Sequence, residues 1–159
     1  MNEKFDSSKY NLSLRRAKLE DAEFLFILRN DKTVRENSFQ TNVIAYEQHL
    51  NWYKNKMQDK KTQIYILQIN KQNIGQVRVD EENSDLEISY AICQEYRGKG
   101  YAKWMLGTLE KELRKVKNNI GKCLVGDVKK DNISSQKVFL SLGYIESKMT
   151  YGFQYRKRI

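Results

Sequence analysis

No proline occurs anywhere in the 159 residues. That excludes PxxP or polyproline ligands, collagen-like repeats and proline-stiffened linkers. Cysteine is scarce: Cys93 and Cys123 are the only two, and neither sits in a CxxC pair. The single histidine, His49, is far from both in sequence, so no zinc site is expected. Cys93 closes one strand-like run and Cys123 opens another. If those strands run parallel, the thiols fall at opposite ends, and the two residues read as small hydrophobes rather than a disulfide. No apolar run approaches a membrane-spanning length, and residues 1–10 contain nothing like the apolar stretch of a signal peptide. A cytoplasmic protein with no membrane partner is therefore expected. Acidic residues are the minority charge: 20 Asp and Glu against 29 Lys and Arg leave +9. With 40% hydrophobic and 11% aromatic residues, this is no disordered polyelectrolyte. A basic globule wants an anionic partner. Nucleic acid, an anionic membrane surface and a phosphorylated small molecule all satisfy that, and charge alone does not choose.

The length fits one domain, 1–159, with residues 1–11 as a polar lead-in. A strand is expected over 12–16. A helix opens at Glu20 and Asp21 and runs to about Asn30, with Leu19, Ala22, Leu25, Phe26 and Leu28 on its apolar side. Residues 31–43 are polar and read as loop. A second helix over 45–57 carries Tyr46, Leu50, Tyr53 and Met57 at helical spacing; Trp52 and His49 lie off that stripe. Residues 63–69 and 73–80 read as a hairpin turning at Asn70-Lys71-Gln72. Residues 86–92 alternate: Leu86, Ile88, Tyr90 and Ile92 share one face, Glu87, Ser89 and Ala91 the other. A third helix follows, with a stripe of Ala102, Met105, Leu106, Leu109, Leu113 and Val116. Then come a strand over 123–128 and a helix capped by Asp131 or Asn132. That helix ends at Leu142-Gly143, before a strand-rich tail. The order predicts a mixed α/β or α+β sheet with helices packed on it.

The most informative segment is the junction Arg97-Gly98-Lys99-Gly100-Tyr101-Ala102, between a strand and a helix. Glycines let the backbone approach a ligand, and the first-turn amides of a helix lack intrahelical partners, so together they cradle an anion. Arg97 and Lys99 add charge. There is no GxxxxGK[ST], and Lys103 occupies the third position of any GxGxxG. Arg97-x-x-Gly100-x-Ala102 instead resembles the R/Q-x-x-G-x-G/A signature of the GCN5-related N-acetyltransferases. Asn132-x-x-Ser135, Val138-Phe139 and Leu142-Gly143-Tyr144 resemble that family's second motif. The likeness in element order extends from Leu12 to the C-terminus.

The resemblance implies a mostly antiparallel sheet of six or seven strands with helices on both faces and splayed central parallel strands. It implies acetyl-coenzyme A as cofactor, held through its pyrophosphate at Arg97, Gly98, Lys99, Gly100, Tyr101 and Ala102. Asn132, Ser135 and Phe139 would complete that site. An amide at Ile92 or Cys93 would polarise the thioester carbonyl. A neutral amine attacks directly, so a base is needed. Glu87, on the less apolar strand face beside Ser89, is the first candidate; its alternative is a carboxylate in an ion pair. Tyr90 joins the catalytic candidates, and a strand bulge would bring it onto the face of Glu87. Phe139 stands where the family usually has a tyrosine acid. That leaves the acid open among Ser135, Tyr144, another tyrosine and water.

For the acceptor, Arg29-Asn30 through Arg35 and then His49-x-x-Trp52 resemble acetyltransferases acting on nucleotide-linked amino sugars, such as the enzyme of pseudaminic acid biosynthesis. They overlap with RimJ/RimL-like enzymes. Arg29 and Arg35 are expected to grip a diphosphate, Trp52 to stack on a base or sugar face, and His49 to meet phosphate or aid proton removal. Arg78 would add positive charge. The bland alternatives are a core Trp52, a satisfied His49 and Arg29 as a helix C-terminal cation. The expected partner is thus a small amine, most simply a nucleotide-linked sugar, with protein N-termini and polyamines as alternatives and a homodimer left open. Nucleic acid is disfavoured. Lys129-Lys130 and Arg156-Lys157-Arg158 come with no RRM, KH or helix-turn-helix pattern.

Overall fold

A computed structural model describes residues 11–159; the lead-in expected over 1–11 lies almost entirely outside the described residues. Seven strands form one sheet in the order β1-β2-β3-β4-β5-β7-β6. They are β1 (Leu12–Arg16), β2 (Thr62–Ile69), β3 (Gln72–Glu82), β4 (Asp85–Ile92), β5 (Cys123–Lys129), β6 (Ile145–Met149) and β7 (Gly152–Arg158). The helices are α1 (Ala22–Asn30), α2 (Lys32–Asn37), α3 (Tyr46–Gln58), α4 (Tyr101–Arg114) and α5 (Ile133–Ser141). All strand pairs are antiparallel except β4 with β5.

Side-chain alternation divides the core into two layers. On one face Leu67, Ile69, Val77, Leu86, Ile88 and Ile92 pack against Met105, Leu106 and Leu109 of α4 and Phe139 of α5. On the other, Ile64 and Ile66 meet Leu25 of α1 and Tyr53 of α3. Both β2–β3 and β3–β4 close through two-residue turns with positive φ, at Asn70-Lys71 and Asn83-Ser84. Such turns match the strand twist, and Asn tolerates the left-handed region.

Several expectations change. Residues 31–43 are not all loop: Asp31 accepts from the Val34 amide and starts α2, which buries no residue and so lacks an apolar periodicity. The inner face of α3 is His49 and Tyr53, whereas Tyr46 and Met57 are exposed. Val116 lies beyond α4 and is exposed. The β3–β4 register runs unbroken from Gly75↔Ile92 to Glu82↔Asp85, so no bulge turns Tyr90 onto the face of Glu87. The irregularity falls instead between Leu67 and Gln68 of β2.

Parallel pairing between β4 and β5 is confined to Leu86↔Leu124 and Glu87↔Val125. Beyond Glu87 the strands diverge. Cys93 donates its amide to the Ile74 carbonyl, so by alternation the amides of Tyr90 and Ile92 face the opening rather than β3. Cys93 and Cys123 are free thiols at opposite ends of these parallel neighbours. The basic C-terminal triplet is tied into the fold: Arg156 pairs with Asp85 at 2.7 Å and Lys157 with Glu110 at 3.0 Å.

Candidate active site

A cavity of about 810 Å³ opens where β4 and β5 diverge. That volume suits a medium to large ligand. It reaches from the start of α4 to the surfaces of α1 and α3.

At one end two glycines and the start of α4 bring backbone into the wall. Gly98 and Gly100 have φ of 73° and 89°, a region costly for residues with a Cβ. Gly100 is the residue preceding α4, and Trp104 is the first helical residue whose amide bonds back, to Gly100. The positive end of the α4 dipole points into the cavity wall, which Ala102 and Lys103 line. No acidic side chain occurs between Arg97 and Lys103. Together with the outward amides of Tyr90 and Ile92, this end fits a polyanion continued by a chain with carbonyl groups.

Arg97 lines the cavity, and its side chain is engaged within the fold. Its Nε donates to the Ile92 carbonyl at 2.9 Å and its guanidinium pairs with Asp31 at 2.9 Å. It pins α2 to the end of β4. Burial works to raise the Asp31 carboxyl, but the Val34 amide and Arg97 outweigh it and hold it low. Lys99 lies over the Tyr96 ring, 5.9 Å away, outside the cavity lining. Asn132 is the cap of α5, its Oδ1 accepting from the Ser135 amide at 3.3 Å. Phe139 is a core residue stacked on Tyr155 at 5.3 Å, and a Cβ on Gly126 would lie 2.3 Å from the ring's para carbon. Of the two amides expected at the thioester, that of Cys93 is bonded within the sheet and that of Ile92 faces the opening.

The other end is built from side chains. Arg29 and Arg78 both lie against the Trp52 ring, each guanidinium 5.1 Å from its centre. Arg78 has a counter-ion in Asp80 at 2.7 Å, which also accepts from Lys56 and Thr62. Arg29 has no carboxylate partner among the described residues; its nearest recorded polar contact is Gln40 at 3.5 Å. Burial, and then the charge of Arg78, lower its pKa. Arg35 departs from expectation. It donates to the carbonyls of Asn30 and Thr41, which organises its own segment, and it does not line the cavity. His49 is buried beneath Trp52 and Tyr53, its Nε2 3.1 Å from the Ala22 carbonyl and its Nδ1 unpartnered.

Glu87 and Ser89 project from β4 into the cavity on the α1–α3 side of the sheet. Burial, and then the charges of Glu82, Asp127, Asp80 and Asp85, raise the Glu87 pKa. A carboxylate so tuned is better able to accept a proton near neutral pH. On the opposite face Tyr90 donates to Ser135 at 2.8 Å. Asp127, Asp80 and Asp31 escaped sequence reasoning. Only the alternation of 123–128, which puts Asp127 out of phase with Leu124 and Val128, signalled any of them.

The sequence profile of the Acetyltransferase (GNAT) domain family matches residues 11–145. No curated protein sequence matches the chain. Solved structures share the fold. A domain from Methanocaldococcus jannaschii DSM 2661 superposes with a TM-score of 0.82 at 20% identity, covering 94% of this chain and 99% of that one. The RimL ribosomal L7/L12 α-N-protein acetyltransferase, in complex with coenzyme A, gives 0.81 at 17%, covering 98% and 97%. Spermidine N-acetyltransferase from Vibrio cholerae, in complex with CoA and spermine, gives 0.78 at 20%, covering 93% and 94%.

Proposed function

The chain belongs to the Acetyltransferase (GNAT) domain family, and from that premise we propose that it carries the acetyl group of acetyl-coenzyme A to the amino group of a nucleotide-linked sugar. The thioester supplies an activated acyl carbon. Gly98, Gly100 and the first amides of α4 hold the pyrophosphate, and the amides of Tyr90 and Ile92 bind along the opening between β4 and β5. The Ile92 amide polarises the acyl carbonyl. Glu87 takes the proton of the attacking amine, directly or through water.

The observation that supports this acceptor is the Arg29–Trp52–Arg78 cluster. Arg29 is half-buried with no carboxylate partner among the described residues, so an anion that joins it is favoured, and an indole flanked by two guanidiniums suits an anion carried on a sugar or base. Glu87 and Asp127, across the cavity, suit the amine. An acceptor bearing both an amine and an anion satisfies both ends; a polyamine satisfies one. The test is thiol release from acetyl-coenzyme A with UDP-amino sugars, peptides with free N-termini, and polyamines. We expect the UDP-amino sugars to give the highest kcat/KM. A preference for spermidine or for a peptide N-terminus would overturn the acceptor assignment.

A further inference from the structure

Among the described residues β6 is the last strand of the sheet, with β7 on one side and no strand on the other. All five of its residues are exposed. Ile145 is 74% exposed, the most of any large apolar side chain among the described residues. An open edge offers unpaired amides and carbonyls to another strand. The sequence of this edge is Ile-Glu-Ser-Lys-Met, and it complements itself. Laid antiparallel against a second copy about a two-fold axis at Ser147, Ile145 meets Met149, Glu146 meets Lys148, and Ser147 meets its own counterpart. Alternation sorts these pairs by face. Glu146 and Lys148 share the face of their β7 partners Tyr155 and Phe153; Ile145, Ser147 and Met149 share the other. One carboxylate oxygen of Glu146 already accepts from Tyr155 at 2.8 Å, which holds the group in place. Lys148 has no ion-pair partner among the described residues. Opposite charges directly across a strand pair stabilise it, and like charges weaken it. β1, at the other end of the sheet, lacks this symmetry: about its centre, Leu12 would meet Arg16 and Ser13 would meet Arg15.

We propose that β6 is an isologous interface, at which a second copy of this chain adds antiparallel with Ser147 on the two-fold axis and the two seven-stranded sheets join into one. Every contact then occurs twice. Two Glu146–Lys148 pairs form on one face, and two Ile145–Met149 pairs leave water on the other. An interface built on one short strand from each copy is small, so the dimer is weak, with a Kd on the order of tens of micromolar. The pairing also braces the cavity. The turn that follows Met149 carries Tyr151, whose hydroxyl donates to Asp127 and whose ring meets Phe39 at 5.2 Å. Asp127 and Phe39 both line the cavity.

The test is sedimentation velocity from about 5 μM to about 500 μM protein. Wild type should move from 18.9 kDa toward twice that mass across the range. K148E sets like charges opposite each other at both polar pairs, and so does E146K; each should stay monomeric alone. Mixed in equal amounts, the two variants regain opposite charges at both pairs and should dimerise with one another. E146K also loses the Tyr155 bond. If it fails to fold, S147C and I145C test the register instead. Under mild oxidation S147C should give a disulfide-linked dimer, because a thiol on the axis faces its own counterpart, whereas I145C faces Met149 and should give no more than wild type, whose Cys93 and Cys123 are the control. Wild type that stays at 18.9 kDa at the highest concentration overturns the proposal. So does a dimer that persists unchanged in K148E, or equal cross-linking of S147C and I145C.

Discussion

The two ends of the cavity are made of different material. At the α4 end the groups proposed for recognition are amides, held by two left-handed glycines and by the divergence of two strands. At the α1–α3 end they are the side chains of Arg29, Trp52, Arg78 and Glu87, each held by its own neighbours. An end built of amides tolerates side-chain change so long as the backbone path is kept, and it binds a group common to many acceptors. An end built of side chains changes its preference with single substitutions. Donor binding should thus fail only at a few backbone positions, and acceptor choice should move at many.

Four experiments break or sharpen that contrast. The largest effect belongs to Gly100→Asp. A φ of 89° strains any Cβ, and a carboxylate is placed where the amides face an anion. Calorimetry should show acetyl-coenzyme A affinity reduced at least about a hundredfold. An unchanged affinity would mean the donor end does not depend on its backbone. Glu87→Gln comes next, with kcat lower by about a hundredfold. The wild-type rate should decline as pH falls through the raised Glu87 pKa, because the protonated carboxyl accepts nothing. The variant's pH profile should lack that limb, and a limb that persists removes Glu87 as the base.

Arg29→Met should raise KM for an anionic acceptor about tenfold while affinity for acetyl-coenzyme A stays put. Its melting temperature should hold or rise, since an unpaired, partly buried cation has been removed. A drop in donor affinity would show that the two ends are not separable. The smallest effect concerns His49. Burial first, then Arg29, lower its pKa against the pull of the Ala22 carbonyl, so the unfolded chain binds its proton more readily than the folded one. Its neutral burial therefore adds stability above the ordinary value of 6.5, and that contribution is lost as pH falls below it. Wild type should lose a few degrees of melting temperature between about pH 7.5 and about pH 5.5, and His49→Gln should lose less. Equal losses would remove His49 as the cause.

The backbone turn at the α4 end was the readable part. Gly98, Gly100 and Ala102 between a strand and a helix are a local signal, and local geometry follows from local residue types. The alternation of 86–92 likewise placed Glu87 and Tyr90 on opposite faces, and the sheet keeps them there. The acceptor end depends on contacts between residues far apart. His49 looked peripheral because the stripe of Tyr46, Leu50, Tyr53 and Met57 seemed to define the face of α3, yet the carbonyl of Ala22 and the rings of Trp52 and Tyr53 hold it inside. The short helix α2 has no apolar period to betray it. Arg97 is the sharpest case. Its position in the motif was plain, but its partner Asp31, 66 residues away, was not.

That ion pair has a consequence for how such proteins diversify. A segment carrying α2, transplanted from a relative to change the acceptor, must bring a carboxylate at the place of Asp31. Without one, Arg97 keeps only its bond to the Ile92 carbonyl, and the tie between the graft and the end of β4 is weakened. The natural crossover points for chimeras therefore lie outside the stretch from Asp31 to Arg97, and recombination within it should preserve both residues or neither.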